Sequence, residues 1–200
     1  MSRKYKFHNK EGLYFVSFAV INWIDVFIRP LYAEILIESL KHCKDKLGLE
    51  LFCWCIMPSH VHLIFRTTTV NPEVVLGRFK EYTSKQLVKA IKENMKESRR
   101  EWMLERFKLA TQSHSRNKNY QFWQYGNHPE EIYTNKFMWS KLDYIHLNPV
   151  RAGLVEKASH FIYSSASNYV NDSGLIEIEK ADNPIVDVMN LNNLQRYDSY

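Results

Sequence analysis

The sequence predicts an α+β domain, an antiparallel sheet with helices packed on it. Three observations predict it. The apparent order of elements is strand, helix, strand, strand, helix, strand, helix. Two apolar strands are separated only by Pro58-Ser59, too short a link for anything but antiparallel neighbours. Both long helical stretches open on a proline, and the first closes on a glycine.

In chain order, Leu13 to Ile21 is rich in β-branched and aromatic residues and reads as a buried strand. Pro30 opens a helix to about Leu47, with Leu31, Ile35, Leu36, Leu40, Cys43 and Leu47 at helical spacing and Gly48 as the stop. Glu50 to Met57 alternates as a second strand, and His60 to Arg66 is a third. Asn71-Pro72 starts a second helix carrying Val75, Phe79, Tyr82, Val88, Ile91 and Met95 along one side, and residues 97–109 read as its continuation. Thr111 to Asn119 is polar and loop-like. Gln121 to Tyr125 is the candidate fourth strand, and Thr134 to about Asn148 is a last helix, closed near Pro149 and Gly153.

A chain of 200 residues with 45% hydrophobic and 14% aromatic side chains can bury a core, which excludes a wholly disordered protein. No window approaches ~18 uncharged apolar residues, so no membrane span is expected. The basic start, Ser2 to Lys6, leads into no uninterrupted apolar run before Glu11, so no secretory signal is expected. Three cysteines make no disulfide framework, and a reducing cytoplasm is the expected setting. The net charge is +5, and it is uneven. Residues 171–200 hold six acids and two bases, net −4, which leaves +9 on residues 1–170. The expected division is therefore a functional domain over 1–170 and an acidic C-terminal extension over 171–200. A basic body points to a polyanion, nucleic acid before membrane.

Two short motifs carry candidate chemistry. In His60-Val61-His62, strand geometry puts both imidazoles on one face and Val61 in the core. That is half a site for a divalent metal, although a lone His-x-His is more often structural. In Tyr144-Ile145-His146-Leu147-Asn148-Pro149, residues four apart share a helix face, so a phenol and a neutral carboxamide oxygen sit one above the other. Taken alone, a helical tyrosine is usually packing and Asn before Pro an ordinary helix stop. The segment Arg78 to Lys108 holds ten bases and five acids, and reads either as a solvated helix face or as a phosphate-tracking stripe. Cys53 and Cys55 share a strand face opposite Trp54, and buried small hydrophobes are the better reading than a zinc site. No glycine-rich phosphate loop is present, so nothing suggests ATP.

The stretch Met57-Pro58-Ser59-His60-Val61-His62-Leu63-Ile64, followed by KLDYIHLNPVRAGLV from Lys141 to Val155, resembles the HUH single-tyrosine transposases, above all the REP-associated tyrosine transposases. FWQYGNHPEEI (Phe122 to Ile132) and YSSASNY (Tyr163 to Tyr169) are similar too, and the likeness runs from about Tyr14 to Tyr169. The resemblance implies a ferredoxin-like domain with Tyr144 on a helix as nucleophile, and His60, His62 and Asn148 as ligands of Mg²⁺ or Mn²⁺. Some relatives have Gln where Asn148 stands, and Asn where Ser59 stands. It implies metal-dependent cleavage and joining of single-stranded or hairpin DNA through a 5′-phosphotyrosine, that is, transposition without nucleotide hydrolysis. Arg78, Lys80, Lys85, Lys141 and Arg151 are the candidate DNA contacts. Relatives include a homodimer that exchanges the tyrosine helix and monomers that keep it. Two rival readings stay open, a catalytically inactive, domesticated nucleic-acid-binding protein and a metal hydrolase in which water attacks.

Overall fold

A computed structural model describes residues 7–113 and 119–181. Its sheet has four strands: β1 (Tyr14–Ala19), β2 (Leu49–Ile56), β3 (His60–Thr67) and β4 (Glu130–Glu131). Their order is β2-β3-β1-β4, with every neighbouring pair antiparallel. Helices α1 (Pro30–Leu47) and α2 (Pro72–Glu93) connect β1 to β2 and β3 to the segment leading to β4. This is the ferredoxin-like arrangement. The remaining helices are α3 (Arg100–Leu109), α4 (Asn135–Arg151) and α5 (Ala166–Asn171).

The sheet has two buried faces. Val16, Phe18, Leu51, Trp54, Val61, Leu63 and Phe65 point to one side, where α1, α2 and α3 bury Leu36, Leu40, Phe79, Ile91 and Phe107 against them. Phe15, Cys53, Cys55 and Ile64 point to the other, under Met138, Leu142 and Ile145 of α4 and Ala166 of α5. In β2 the apolar phase changes from Leu49 and Leu51 to Trp54 and Ile56. A bulge between Leu51 and Cys53 is the cause: one extra residue turns the strand half a period.

Most elements follow from local signals. Pro30 stands in the first turn of α1, where its missing N–H costs nothing, and Gly48 ends that helix with φ 67°. A Cβ at Gly48 would collide with Thr68 and Thr69, so this position needs glycine twice over. In α4 the Thr134 hydroxyl accepts a bond from Phe137 N at 3.2 Å.

Four expectations need correction. Gln121 to Tyr125 is not the fourth strand: only Trp123 bridges to Val20, and β1 pairs instead with Glu130–Glu131. Phe122 and Trp123 are both buried, so the segment crosses the end of β1 with consecutive residues inside and cannot alternate. The second helix does not run on through residue 97. It stops at Glu93, and α3 starts at Arg100. Between them Glu97 turns inward, its side chain fully buried and bonded to Arg29 at 3.0 Å and Arg99 at 3.2 Å. Desolvation opposes its charge, but the two guanidinium partners outweigh it and hold the carboxyl below its usual range. Tyr82 and Met95, expected on the inner side, are exposed. Finally, α4 continues through Pro149 to Arg151. Proline there forfeits one bond in the last turn, and the helix then closes with Leu154 N on Pro149 O and Gly153 N on Val150 O.

The outer edge of β2 is covered. Ile56 N donates to Tyr163 O, Ser165 N to Trp54 O and Glu179 N to Leu51 O. The chain beyond Asn171 thus lies along the domain as far as it is described, with Ile176 in the core. The expected loop at Thr111 to Asn119 begins as a 3₁₀ turn over Ala110–Ser113, and residues 114–118 lie outside the described residues. Among the described residues, no helix is long and apolar enough to cross a membrane.

Candidate active site

Strand β3 starts directly after the Pro58-Ser59 turn, and that turn is pinned by bonds from Val20 N to Ser59 O and from Phe27 N to Pro58 O. His60 and His62 therefore leave the strand on the α4 side, at fixed positions. His62 is paired across the sheet with Ser17 of β1 and Cys55 of β2. Both flanking side chains are small, which leaves space above His62. The two imidazole rings stand 4.8 Å apart, nearly perpendicular.

Helix α4 fills that space. Leu142 and Ile145 anchor it, and so does His146, whose Nε2 lies 2.8 Å from Ser165 Oγ and 3.2 Å from Cys53 Sγ in a fully buried cluster. With those residues facing the sheet, Tyr144 and Asn148 fall beside the histidines. The Tyr144 ring is 5.3 Å from His62 and 6.1 Å from Phe15, edge to face in both cases, and remains 42% exposed. Asn148 Nδ2 donates to His62 Nε2 at 3.1 Å. Half a turn of that amide would put a carbonyl oxygen in the same place. Phe15 is the wall of the site, stacked on His62 at 5.9 Å. Lys141, one turn before Tyr144, lies 4.2 Å from the Phe15 ring and bonds Glu130 at 2.9 Å. Ser59 Oγ is 3.2 Å from His60 Nδ1.

Burial controls the charge of both histidines. Desolvation pushes His60 down to about 4. His62 falls to about 3, from desolvation first and then from the positive potential of His60 and Lys141. Both are neutral near pH 7, with ring lone pairs ready for a metal. His62 Nδ1 is buried without a hydrogen-bond partner among the described residues. No group of three His, Cys, Asp or Glu side chains among those residues can hold a metal. A cation bound at the histidines would thus take a third protein donor of another kind, and the Asn148 amide is in place. Two imidazoles and one amide oxygen suit a divalent cation that keeps waters or phosphate oxygens as its other ligands.

The other sequence candidates are dispersed. Lys141 belongs to this cluster, and Arg151 is exposed at the end of α4. Arg78, Lys80 and Lys85 lie on α2, across the sheet. The Lys80 ammonium turns inward, 2.6 Å from Asn127 Oδ1 and 3.2 Å from Gln124 O, and desolvation lowers it to about 8. Lys85 is paired with Glu81 at 2.6 Å. Cys53 and Cys55 are buried, and burial raises both thiols. Phe15, Glu130 and His146 were not singled out from sequence. His146 had a signal in its place between Tyr144 and Asn148 in one motif, and Glu130 in its place within FWQYGNHPEEI.

The sequence pattern of a family described as "Transposase IS200 like" matches residues 14–145. This chain belongs to that family. Among solved structures, the transposase is similar to a REP-associated tyrosine transposase bound to a REP hairpin, with 22% identity and a TM-score of 0.59 over 95% of this chain and 96% of the other. A transposase structure from Deinococcus radiodurans R1, provisionally assigned as such, aligns at 19% identity and a TM-score of 0.36, over 72% of this chain and 95% of that one. No curated protein sequence matches. The first of these likenesses establishes that the IS200-like transposase shares its fold with a hairpin-binding relative.

Proposed function

We propose that this transposase cleaves and rejoins single-stranded or hairpin DNA with Tyr144 as the nucleophile. The observation that carries the reading is the meeting of α4 with β3, where the His62 ring lies 5.3 Å from that of Tyr144 and bonds Asn148, 86 residues away in sequence. His60, His62 and Asn148 would hold Mg²⁺ or Mn²⁺, and that cation, when bound, polarises a phosphate and stabilises the charge of its transition state. The Tyr144 oxygen attacks phosphorus, the bond to the 3′ oxygen breaks, and the phenolic proton balances the departing 3′-hydroxyl. A 5′-phosphotyrosine results, close in energy to the diester it replaced, and a second 3′-hydroxyl can reverse the step. Exposure of Tyr144 gives the strand access. Phe15 packs against the rings of both His62 and Tyr144, and Lys141, oriented by Glu130, adds positive charge where the phosphate would lie.

The proposal assigns catalysis to residues 1–170 and treats 171–200 as an acidic extension. In this reading His60, His62, Tyr144 and Asn148 all come from one chain, and a homodimer that exchanges the tyrosine helix is the alternative arrangement. The test is incubation with hairpin-bearing single-stranded DNA and Mn²⁺ or Mg²⁺, read on a denaturing gel. A covalent adduct is expected in the wild type and none in Tyr144→Phe, with DNA affinity preserved. Wild-type adduct in the variant would move the nucleophile, with Tyr125 and Tyr133 next in line. Cleavage without adduct would favour attack by water, and binding without cleavage an inactive DNA-binding protein.

A further inference from the structure

After β1 the chain makes a tight turn in which Asn22 and Trp23 both have left-handed backbones, φ 54° and 56°. Asparagine tolerates that region, whereas a tryptophan there is a steric outlier. Packing does not explain it, because Trp23 is 59% exposed. The turn is nonetheless firmly held. Val20 N bonds Ser59 O, Ile21 N bonds Phe122 O, and Trp23 N bonds Val20 O at 3.0 Å or less. The strained backbone thus keeps a large flat ring in the open, its centroid 5.3 Å from that of His60. Strain maintained at an exposed aromatic is better explained by a ligand than by the fold.

Beside Trp23 opens a cleft of about 600 Å³. Tyr125 supplies a second ring, 42% exposed, and Arg106 a cation. Gln124 and the buried Gln121 supply carboxamides, and Gln121 Oε1 has no hydrogen-bond partner among the described residues. Among the described residues, no carboxylate lines the cleft. Flat π-faces, a guanidinium and amide groups next to a phosphodiester site are the recognition chemistry of an unpaired nucleotide.

We propose that Trp23 and this cleft form a subsite that stacks one unpaired base of the strand next to the scissile phosphate. The inference rests on the reading of the His60 region as a DNA site, but it is tested by binding alone. The protein is the full chain carrying Tyr144→Phe, without added divalent cation, so cleavage plays no part. The probes are fluorescein-labelled oligothymidylate of about a dozen nucleotides, within the span of known single-strand sites, and a duplex of the same length. Trp23→Asn suits the left-handed turn and removes the ring, while Trp23→Phe keeps a smaller ring.

Trp23→Asn is expected to weaken single-strand binding about 5- to 150-fold, the range for loss of one stacked base. Trp23→Phe should recover part of it, the salt slope should stay unchanged, and duplex binding should not move. Single-strand affinity equal to that of the parent would overturn the subsite, as would equal loss for both probes or no single-strand binding by the parent. Absence of a tyrosine adduct in the separate cleavage assay would remove the chemistry and leave this result intact.

Discussion

The two faces of the sheet are built from alternate residues of the same strands, yet they differ in kind. Where strands meet α1 and α2 the contacts are apolar, Trp54, Leu63 and Phe65 against Leu36, Leu40 and Phe79, and the buried polar groups on this side, Thr83, Glu97 and Gln121, sit on the helices and loops rather than on the sheet. The α4 face buries His62, His146 and Ser165 among its apolar side chains, at relative exposures of 2%, 0% and 0%. Buried polar groups cost stability unless they are satisfied, and apolar neighbours keep their positions fixed. The comparison teaches that the larger apolar core lies on one face, while the other buries polar groups in positions suited to chemistry.

Neighbouring residues on β3 test this contrast most strongly. His62→Ala should cut Mn²⁺ affinity by at least the about 10- to 100-fold that even outer partners of metal ligands carry. Leu63→Ala, one residue on but facing α1 and α2, should cost about 2–5 kcal/mol in urea unfolding. It should leave Mn²⁺ affinity of the folded protein unchanged. Equal metal affinity in His62→Ala and wild type, by calorimetric titration, would remove the metal from the site.

A pH titration of stability separates the faces next. His60, His62 and His146 are held at about 4, 3 and 3, all by desolvation first, and all lie on the α4 side. Their folded values are below the ordinary 6.5, so the unfolded chain takes up protons first as pH falls. The stability they allow is fully present above about 6.5 and is lost as pH drops towards 3 to 4. Urea midpoints at several pH values should fall through this window, and the fall should shrink in His146→Gln. A flat profile from pH 7 to 4 would contradict the buried, neutral state of these rings.

The smallest effect belongs to the start of α4. Thr134→Ala removes the acceptor for Phe137 N and should cost about 1 kcal/mol. Adduct formation by the folded protein should change little, because Leu142, Ile145 and His146 still seat the helix. A large loss of adduct with an intact fold would show that the first turn of α4 also sets the position of Tyr144.

Much of this was legible because local rules decide it. Pro30 and Gly48 bracket α1, the alternation of His60, Val61 and His62 sends both imidazoles to one face, and the four-residue step from Tyr144 to Asn148 stacks the pair on α4. Interactions between distant residues were not legible. Beyond the end of α2, Glu97 turns inward to bond Arg29, 68 positions earlier. Lys80 turns inward because Asn127 waits 47 residues on. Phe15 gave no sign that it would be a wall of the site, since a strand phenylalanine reads the same whether it packs on leucine or on histidine.

The covered edge of β2 has a consequence for assembly. A bare strand edge invites a second chain to continue the sheet, but here residues 163–165 and Glu179 already take the hydrogen bonds of Leu51, Trp54 and Ile56. The opposite edge offers only the two residues of β4. Growth of the sheet from one molecule into the next is therefore blocked on one side and given little to hold on the other. Copies of this protein brought together on paired DNA ends would have to meet through helices and loops, or through the DNA itself.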